Sequence, residues 1–503
     1  MQRLAQTASN DNNDLIVAVT NELTRAVRRT TRSSSFAERE RVAMEISNEA
    51  VRRALQTFLE ELASQDDETE IHFGTEIYRR HQPGEMKYHS LCGALHVRRW
   101  TYRMKGVRNG PTIVPLELRA GLIEHATPAL AYAVAQGYAN APIRSVRRDL
   151  EAAHRVPPSR ATLERIAKAI GTDAKSELMA LERRVRASES IPANATGITL
   201  GMDRTTVPME EPCEGAADGG ICVRYRMAYA GTVALTDREG NVLKSWRYAN
   251  PAHEGPLQLV RRMMNDLRRA LDAKPRLHIG VVQDGAPELW SIVEDALRAE
   301  GRVKRWHKAI DMYHLMERVS KALDVVEPDE KKRFTQIAEW KRQLLRDDGA
   351  IARIARYFEL RVGWLRSHRE RERQVLLASG WVFVEHGLLA PAPRSASLPA
   401  PPPPRRWNQK QSEEIDRILG CYLLNPRMFR YARLARLGLH VGSGVTEGAC
   451  KSLITTRAKR SGQRWHKRGI SAVLTLRSLL ASDRFDAFWR RFARRYAPLA
   501  AAA

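Results

Sequence analysis

Residues 197–324 carry an alternation that few architectures satisfy. "GITLGMDRTTVPM" reads as a strand, "CVRYRMAYAGTVALTDREGNVL" (222–243) as two strands with a turn at "DREGN", and "KSWRYAN" as a short continuation. "GPLQLVRRMMNDLRRALDA" (255–273) has the spacing of an amphipathic helix, with Leu257, Val260, Met264, Leu267 and Leu271 on one face. "RLHIGVVQDG" is a strand, "PELWSIVEDALRAEG" (287–301) a helix, "VKRWHKAID" (303–311) a strand and "MYHLMERVSKALD" (312–324) a helix. The order is a meander of strands followed by crossovers that lay helices on the sheet, which predicts a mixed α/β fold.

The flanks read differently. Residues 1–35 are polar and predict a tail, and 36–64 have helical spacing. "CGALHVRRWTYRMKG" (92–106) alternates as strands do, with Arg98, Arg99, Arg103 and Lys105 interleaved with Trp100 and Tyr102. Residues 128–171 predict three short helices, with Pro142 and Pro158 near helix starts, Ser159 as a cap and Gly171 as a terminator. The last of them, bearing Arg160, Arg165 and Lys168, follows its neighbour as in a helix-turn-helix, although helices packed this way also occur without DNA. Residues 325–430 are mainly helical, with the stiff run "LPAPPPPRRWN" (398–408), and 441–495 are helical again.

At 503 residues the chain predicts several domains. Its 83 Lys plus Arg against 58 Asp plus Glu give a net charge of +25, which points to a polyanionic partner, nucleic acid first. Five cysteines, none in Cys-x-x-Cys spacing, argue against a disulfide framework or a structural zinc site. There is no signal-peptide core and no run near the roughly 20 apolar residues of a membrane span. The expected setting is cytoplasmic and reducing.

Asp203 lies at the end of the first strand of the meander and Asp284 at the end of the fourth. If those strands are parallel neighbours, both carboxylates project at one sheet edge. Glu447, in "GSGVTEGACKSLITTRAKRSGQRW", has glycines at 442, 444 and 448 around it and a helix after it, a flexible approach that lets it swing to that edge. Alone, each acid reads as a turn, cap or helix-start residue. Together they form an oxygen-rich set suited to Mg²⁺ or Mn²⁺, two ions about 3.5–4 Å apart clamping an in-line phosphoryl displacement.

An Asp on the first strand, an Asp after the fourth and a Glu on a late helix resemble a DDE transposase with an RNase H-like core. More narrowly, "MDRTTVPM", "QDGAPELW", "DMYHL" and the Glu447 segment are similar to insertion-sequence transposases of the Kra group. The separation of 163 positions from Asp284 to Glu447, against 81 from Asp203 to Asp284, resembles members with an all-helical insertion before the Glu. The resemblance covers 197–324 and 438–480, and 80–171 only loosely. It implies an RNase H-like mixed sheet flanked by helices, interrupted by the insertion and preceded by a mostly helical DNA-binding region. The divisions expected are 1–79 (tail and helical region), 80–190 (DNA-binding region), 191–324 (core, first part), 325–437 (insertion) and 438–503 (core, second part).

By the same resemblance Asp203 bridges two Mg²⁺ or Mn²⁺ ions, Asp284 holds one and Glu447 the other. Asp311 and His314 act as auxiliary residues, with a buried structural role as the alternative for His314. Arg457, Lys459, Arg460 and Arg464 bind transposon-end phosphates unless they form an ordinary solvated face, and Trp465 stacks on an unpaired base or simply packs. The implied partners are transposon-end DNA, target DNA and further copies of the chain in a homodimer or larger assembly, in a bacterial, nucleoid-associated setting. Two other expectations stand beside this one: a structure-selective nuclease or resolvase on the same core, and a non-catalytic, domesticated DNA-binding protein.

Overall fold

The computed structural model describes residues 2–30, 35–213, 220–284, 286–327, 329–362, 381–383, 389–391 and 426–494. The Pro-rich run 398–408, Cys421 and most of the stretch between 363 and 425 lie outside them. The chain divides into two units, Met1–Val185 with Arg468–Ala503, and Arg186–Lys467.

The first unit begins with helices α1 (Gln2–Thr30) and α2 (Phe36–Ser64). Where a tail was expected there is thus a helix. Leu23 and Val27, one turn apart, are its inward-facing residues, while its other residues with described side chains are mostly exposed. Ser35 caps α2, its hydroxyl accepting the Glu38 N–H at 3.3 Å. Strands β1 (Glu70–Phe73), β2 (Glu76–Ser90), β3 (Gly93–Met104) and β4 (Thr112–Ile113) follow as an antiparallel sheet in chain order. The alternating stretch 92–106 is therefore one strand, and its hairpin partner is β2. Tyr88, Leu95 and Val97 on one sheet face bury against Leu59 and Ala63 of α2.

Helices α3 (Pro115–Arg119), α4 (Pro128–Asn140), α5 (Ile143–Ala152) and α6 (Arg160–Ser188) complete this stretch. Ser159 caps α6 by accepting the Thr162 N–H at 3.3 Å, as expected. Gly171 does not terminate it, however; the helix runs on to Ser188. The glycine serves a close approach instead, since a Cβ there would lie 2.3 Å from the Ala472 Cβ on the helix Lys467–Ala481. That helix and the following one, Phe485–Arg494, pack in this unit: Arg477 Nη1 donates to the Ala139 carbonyl at 2.5 Å and Tyr132 donates to Asp486 at 2.6 Å. Gly171→Ala is expected to lower stability by about 1–2 kcal/mol, because overpacking outweighs the roughly 1 kcal/mol gain in helix propensity. A urea titration with unchanged slope checks it; an unchanged or higher midpoint contradicts the close approach.

The second unit is built on strands β5 (Gly197–Pro212), β6 (Ile221–Thr236), β7 (Val242–Asn250), β8 (His278–Gln283) and β9 (His307–Ile310), with helices α7 (Gly255–Ala273), α8 (Pro287–Ala299) and α9 (Met312–Val326) between and after them. This is a mixed α/β arrangement, as the alternation predicts. The sheet order is β7-β6-β5-β8-β9, antiparallel through β7, β6 and β5 and parallel from β5 to β8 to β9. The inward face of α7 is Leu259, Val260, Met263, Met264, Leu267, Ala270 and Leu271. Leu257, expected on that face, is 67% exposed because the buried stripe is centred further round the helix. Beneath α7, Arg186 and Asp266 form a buried ion pair at 2.9 Å, with the Tyr248 hydroxyl donating to the same carboxylate.

Helices α10 (Glu330–Arg346) and α11 (Ala350–Val362) follow; beyond them the described residues include a short antiparallel pair, Trp381–Phe383 with Leu389–Pro391, a 3-10 turn at Pro426–Phe429 and the helix Tyr431–Arg436, so the stretch 325–437, expected to be all-helical, also contains strands. Beyond their pairings with β8 and β7, β5 and β6 continue as a two-stranded ribbon that ends at Pro212 and Ile221. There Cys213 and Cys222 are joined by a disulfide, with Cα atoms 5.1 Å apart. This corrects the expectation drawn from cysteine spacing. The ladder, which pairs Glu211 with Cys222, brings together two residues that no linear motif links.

Candidate active site

β5 and β8 are parallel neighbours whose last registered pair is Leu200 with Val281. Three residues further along each strand stand Asp203 and Asp284, level with one another where the strands part. Asp203 is not at the end of its strand, as expected, but in its middle, because β6 carries the ladder on to Pro212 from the other side. Asp284 follows β8 directly. Its Oδ1 accepts the Ala286 N–H at 3.1 Å, and the Trp290 indole donates to its carbonyl at 2.7 Å, so the turn is pinned by the first residues of α8. The carboxylate at the tip of a buried strand is a turn residue and a partner for Asp203 at once.

Glu447 sits on the helix Gly444–Cys450, which passes through a π turn at Lys451–Thr455 into Thr456–Ala458. Such turns are rare in helices and recur at functional sites. Contacts distant in sequence hold this helix on the sheet. A Cβ on Gly201 of β5 would fall 2.2 Å from the Thr446 hydroxyl and 2.8 Å from the Val282 carbonyl. The Thr446 hydroxyl also meets that of Thr232 on β6 at 2.7 Å, buried. Gly442 allows a tight approach rather than a flexible one, since a Cβ there would lie 2.7 Å from the Tyr313 ring.

Asp311 is fully buried and caps α9 by accepting the His314 N–H at 2.7 Å; its other oxygen accepts the Ser443 N–H. Both oxygens thus hold backbone, joining α9 to the start of the Glu447 helix. His314 is partly exposed, with Nδ1 3.4 Å from Glu447 Oε1 and 3.6 Å from Asp311 Oδ1. One potential ligand atom from each of Asp311, His314 and Glu447 lies within 4.8 Å of the others. The Ser443 hydroxyl donates to Glu447 Oε1, which keeps the partly exposed carboxylate on this side.

Burial pushes the Asp203 carboxyl above its ordinary range. The Arg204 N–H (2.7 Å) and the Cys450 thiol donate to it and oppose that shift, while the charges of Asp284 and Glu447 add to it. Asp284 and Glu447 are therefore both within electrostatic reach of Asp203. Cys450, one turn past Glu447, is the site residue that sequence reasoning missed; burial and the charge of Asp203 push its thiol well up, so it stays a neutral donor. Nothing in the sequence pairs Cys450 with Asp203. Three carboxylates are the donor chemistry of a hard divalent cation, whose charge would draw the Asp203 carboxyl back down, but among the described residues the group whose ligand atoms come within 4.8 Å of one another is Asp311, His314 and Glu447, not Asp203, Asp284 and Glu447.

The basic residues divide. Lys459 is exposed and donates to the Thr205 hydroxyl of β5 at 3.1 Å, two residues from Asp203. Arg460 and Arg464 are also exposed. Arg457 is buried, its guanidinium over the Trp465 ring at 4.8 Å. Trp465 is itself buried, its indole donating to the Ala458 carbonyl at 3.0 Å and its backbone bonded to Pro208 and Glu210 of β5. In this arrangement neither presents its side chain to a phosphate or a base. In the first unit, Arg160, Arg165 and Lys168 all lie on the exposed side of α6; Arg165 is 3.8 Å from Glu124 and Lys168 2.7 Å from Glu164.

Among the described residues no helix is long and apolar enough to cross a membrane. No protein-family model and no curated protein matches this sequence, so the meaning of the site rests on its own geometry and chemistry.

Proposed function

We propose that this chain is a DNA transposase whose RNase H-like core uses Asp203, Asp284 and Glu447 to hold two Mg²⁺ or Mn²⁺ ions. The observation that carries the reading is the level placement of Asp203 and Asp284 across the parallel β5–β8 pair, with the charge of Glu447 felt at Asp203. The ions would supply activation of the attacking oxygen and neutralisation of charge on the phosphate. The chain's own residues do the rest. Asp311 and Ser443 fix the Glu447 helix, the Arg204 N–H and the Cys450 thiol orient Asp203, and Lys459 sets a cation at the rim where a phosphodiester would pass.

The reaction has two stages. Water hydrolyses DNA at the element's ends and frees 3′-hydroxyls, and these attack target DNA by transesterification. Neither stage needs a covalent protein–DNA intermediate. Two ends must be held together, so a dimer or larger assembly on DNA goes with the reading, as does a place beside bacterial DNA in the cytoplasm. The test uses pre-cleaved DNA ends from the element that encodes the chain, a plasmid target and Mg²⁺ or Mn²⁺. Joined product that disappears with EDTA supports the proposal; cutting without joining identifies a nuclease on the same site, and neither activity leaves a DNA binder.

A further inference from the structure

We propose a second DNA contact, far along the sequence from the acids: a cavity in the first unit that seats one phosphodiester of a duplex backbone. The cavity, of about 420 Å³, opens between the β2–β3 hairpin and the segment Val156–Thr162. Lys87, His89, Ser159 and Thr162 are its polar lining, and no carboxylate lines it. Gly93, with φ near +121°, forms part of its wall at a position where L side chains are rarely found.

The surroundings are cationic. Burial lowers the His89 imidazole, and the neighbouring charges of Lys87 and Arg165 act in the same direction. Glu85 faces His96 at 3.6 Å and Glu124 faces Arg165 at 3.8 Å. A half-buried, hydroxyl-lined space beside Lys87, with no carboxylate in its lining, is suited to an oxyanion. Its size admits more than an inorganic anion, and the cations continue beyond it. His96 and Arg98 are exposed on the same hairpin face, opposite Lys87 and Glu85 in register, and Arg160 follows Ser159 directly. A polymer with regularly spaced phosphates uses both the cavity and this track, whereas a small phosphate uses the cavity alone. The inference concerns binding and stands whether or not the acids cut DNA.

The experiment measures binding of the full-length chain to a fluorescent duplex in EDTA, across a salt series. Lys87→Gln is expected to weaken affinity about 5- to 10-fold at 0.1 M salt and to reduce the log–log salt slope by about one. Ala94→Leu, which narrows the cavity without changing charge, is expected to weaken binding about 5-fold with the slope reduced alike. Lys331→Gln, on α10 in the other unit, leaves both unchanged. Circular dichroism of each variant confirms folding. Wild-type affinity and slope in both cavity variants overturn the proposal. So does duplex binding that stays intact while the variants lose affinity for inorganic phosphate, an outcome that marks a small-anion site instead.

Discussion

Asp203→Asn is expected to cut DNA at less than about one-thousandth of the wild-type rate while binding it normally, and to melt at a higher temperature than the wild type when no divalent cation is present. On the proposed reading, the rate follows from the loss of a ligand to charges that supply several kcal/mol of transition-state stabilisation, at about 1.4 kcal/mol per factor of ten. The stability follows from the raised carboxyl, whose causes are burial first and then the neighbouring acids. A carboxyl with its folded-state pKa above the unfolded one contributes stability that is complete below the unfolded value and lost as pH rises through the folded one. At neutral pH the carboxylate is a net cost, and an uncharged isostere removes it. The difference in melting temperature should shrink toward zero near pH 3. Adding Mg²⁺ or Mn²⁺ should reverse the ranking, because a ligand at a hundred times its dissociation constant stabilises its own binder by about 2.7 kcal/mol. A variant that retains cutting, or that is the less stable protein at pH 7 in EDTA, contradicts this account of the acid.

Gly201→Val is expected to reduce cleavage about 100-fold and to cost about 1–3 kcal/mol of stability, although it touches none of the three acids' side chains. The added Cβ collides with the Thr446 hydroxyl and the Val282 carbonyl, and backbone on the β8 side yields little. The helix that carries Glu447 is the element that can move, and a displacement of about 1 Å at a reacting centre is worth about two orders of magnitude. Overpacking accounts for the loss of stability. Shaving Thr446 to Ala in the same chain should recover part of both losses; if the pair is no better than the single variant, the contact is not what fixes the helix.

How much of this was legible beforehand depends on the range of the contacts. The succession from β5 to α9 could be read because amphipathic helices and apolar strands declare themselves within a dozen residues. The run of β5 past Asp203 could not be, although its partner β6 was read from Cys222 onward. There the two strands are paired on few sides and alternate weakly, with Ile221 and Tyr225 exposed, so β5 appeared to stop at the acid. Gly171 looked like a terminator because its partner, Ala472, is 301 positions away. The same distance in sequence hid the roles of Cys450 and Ser443, which depend on Asp203 and Asp311. Arg457 and Trp465 had the composition of a nucleic-acid surface, yet they stack on each other against β5. Residue type gave their chemistry, but which way they face was decided by the return of the chain to β5.

The helix carrying Glu447 has one further effect, on the timing of assembly. A ribosome completes the strands bearing both aspartates long before it reaches the glutamate, and domains settle in the order in which they emerge. A chain ending anywhere before residue 447 has at most two of the three acids and no means of completing the set, whereas the same sheet is ready to receive the helix when it arrives. On the proposed reading, nascent and prematurely terminated products are harmless to the DNA around them. On that reading the capacity to break DNA is withheld until the glutamate has been made.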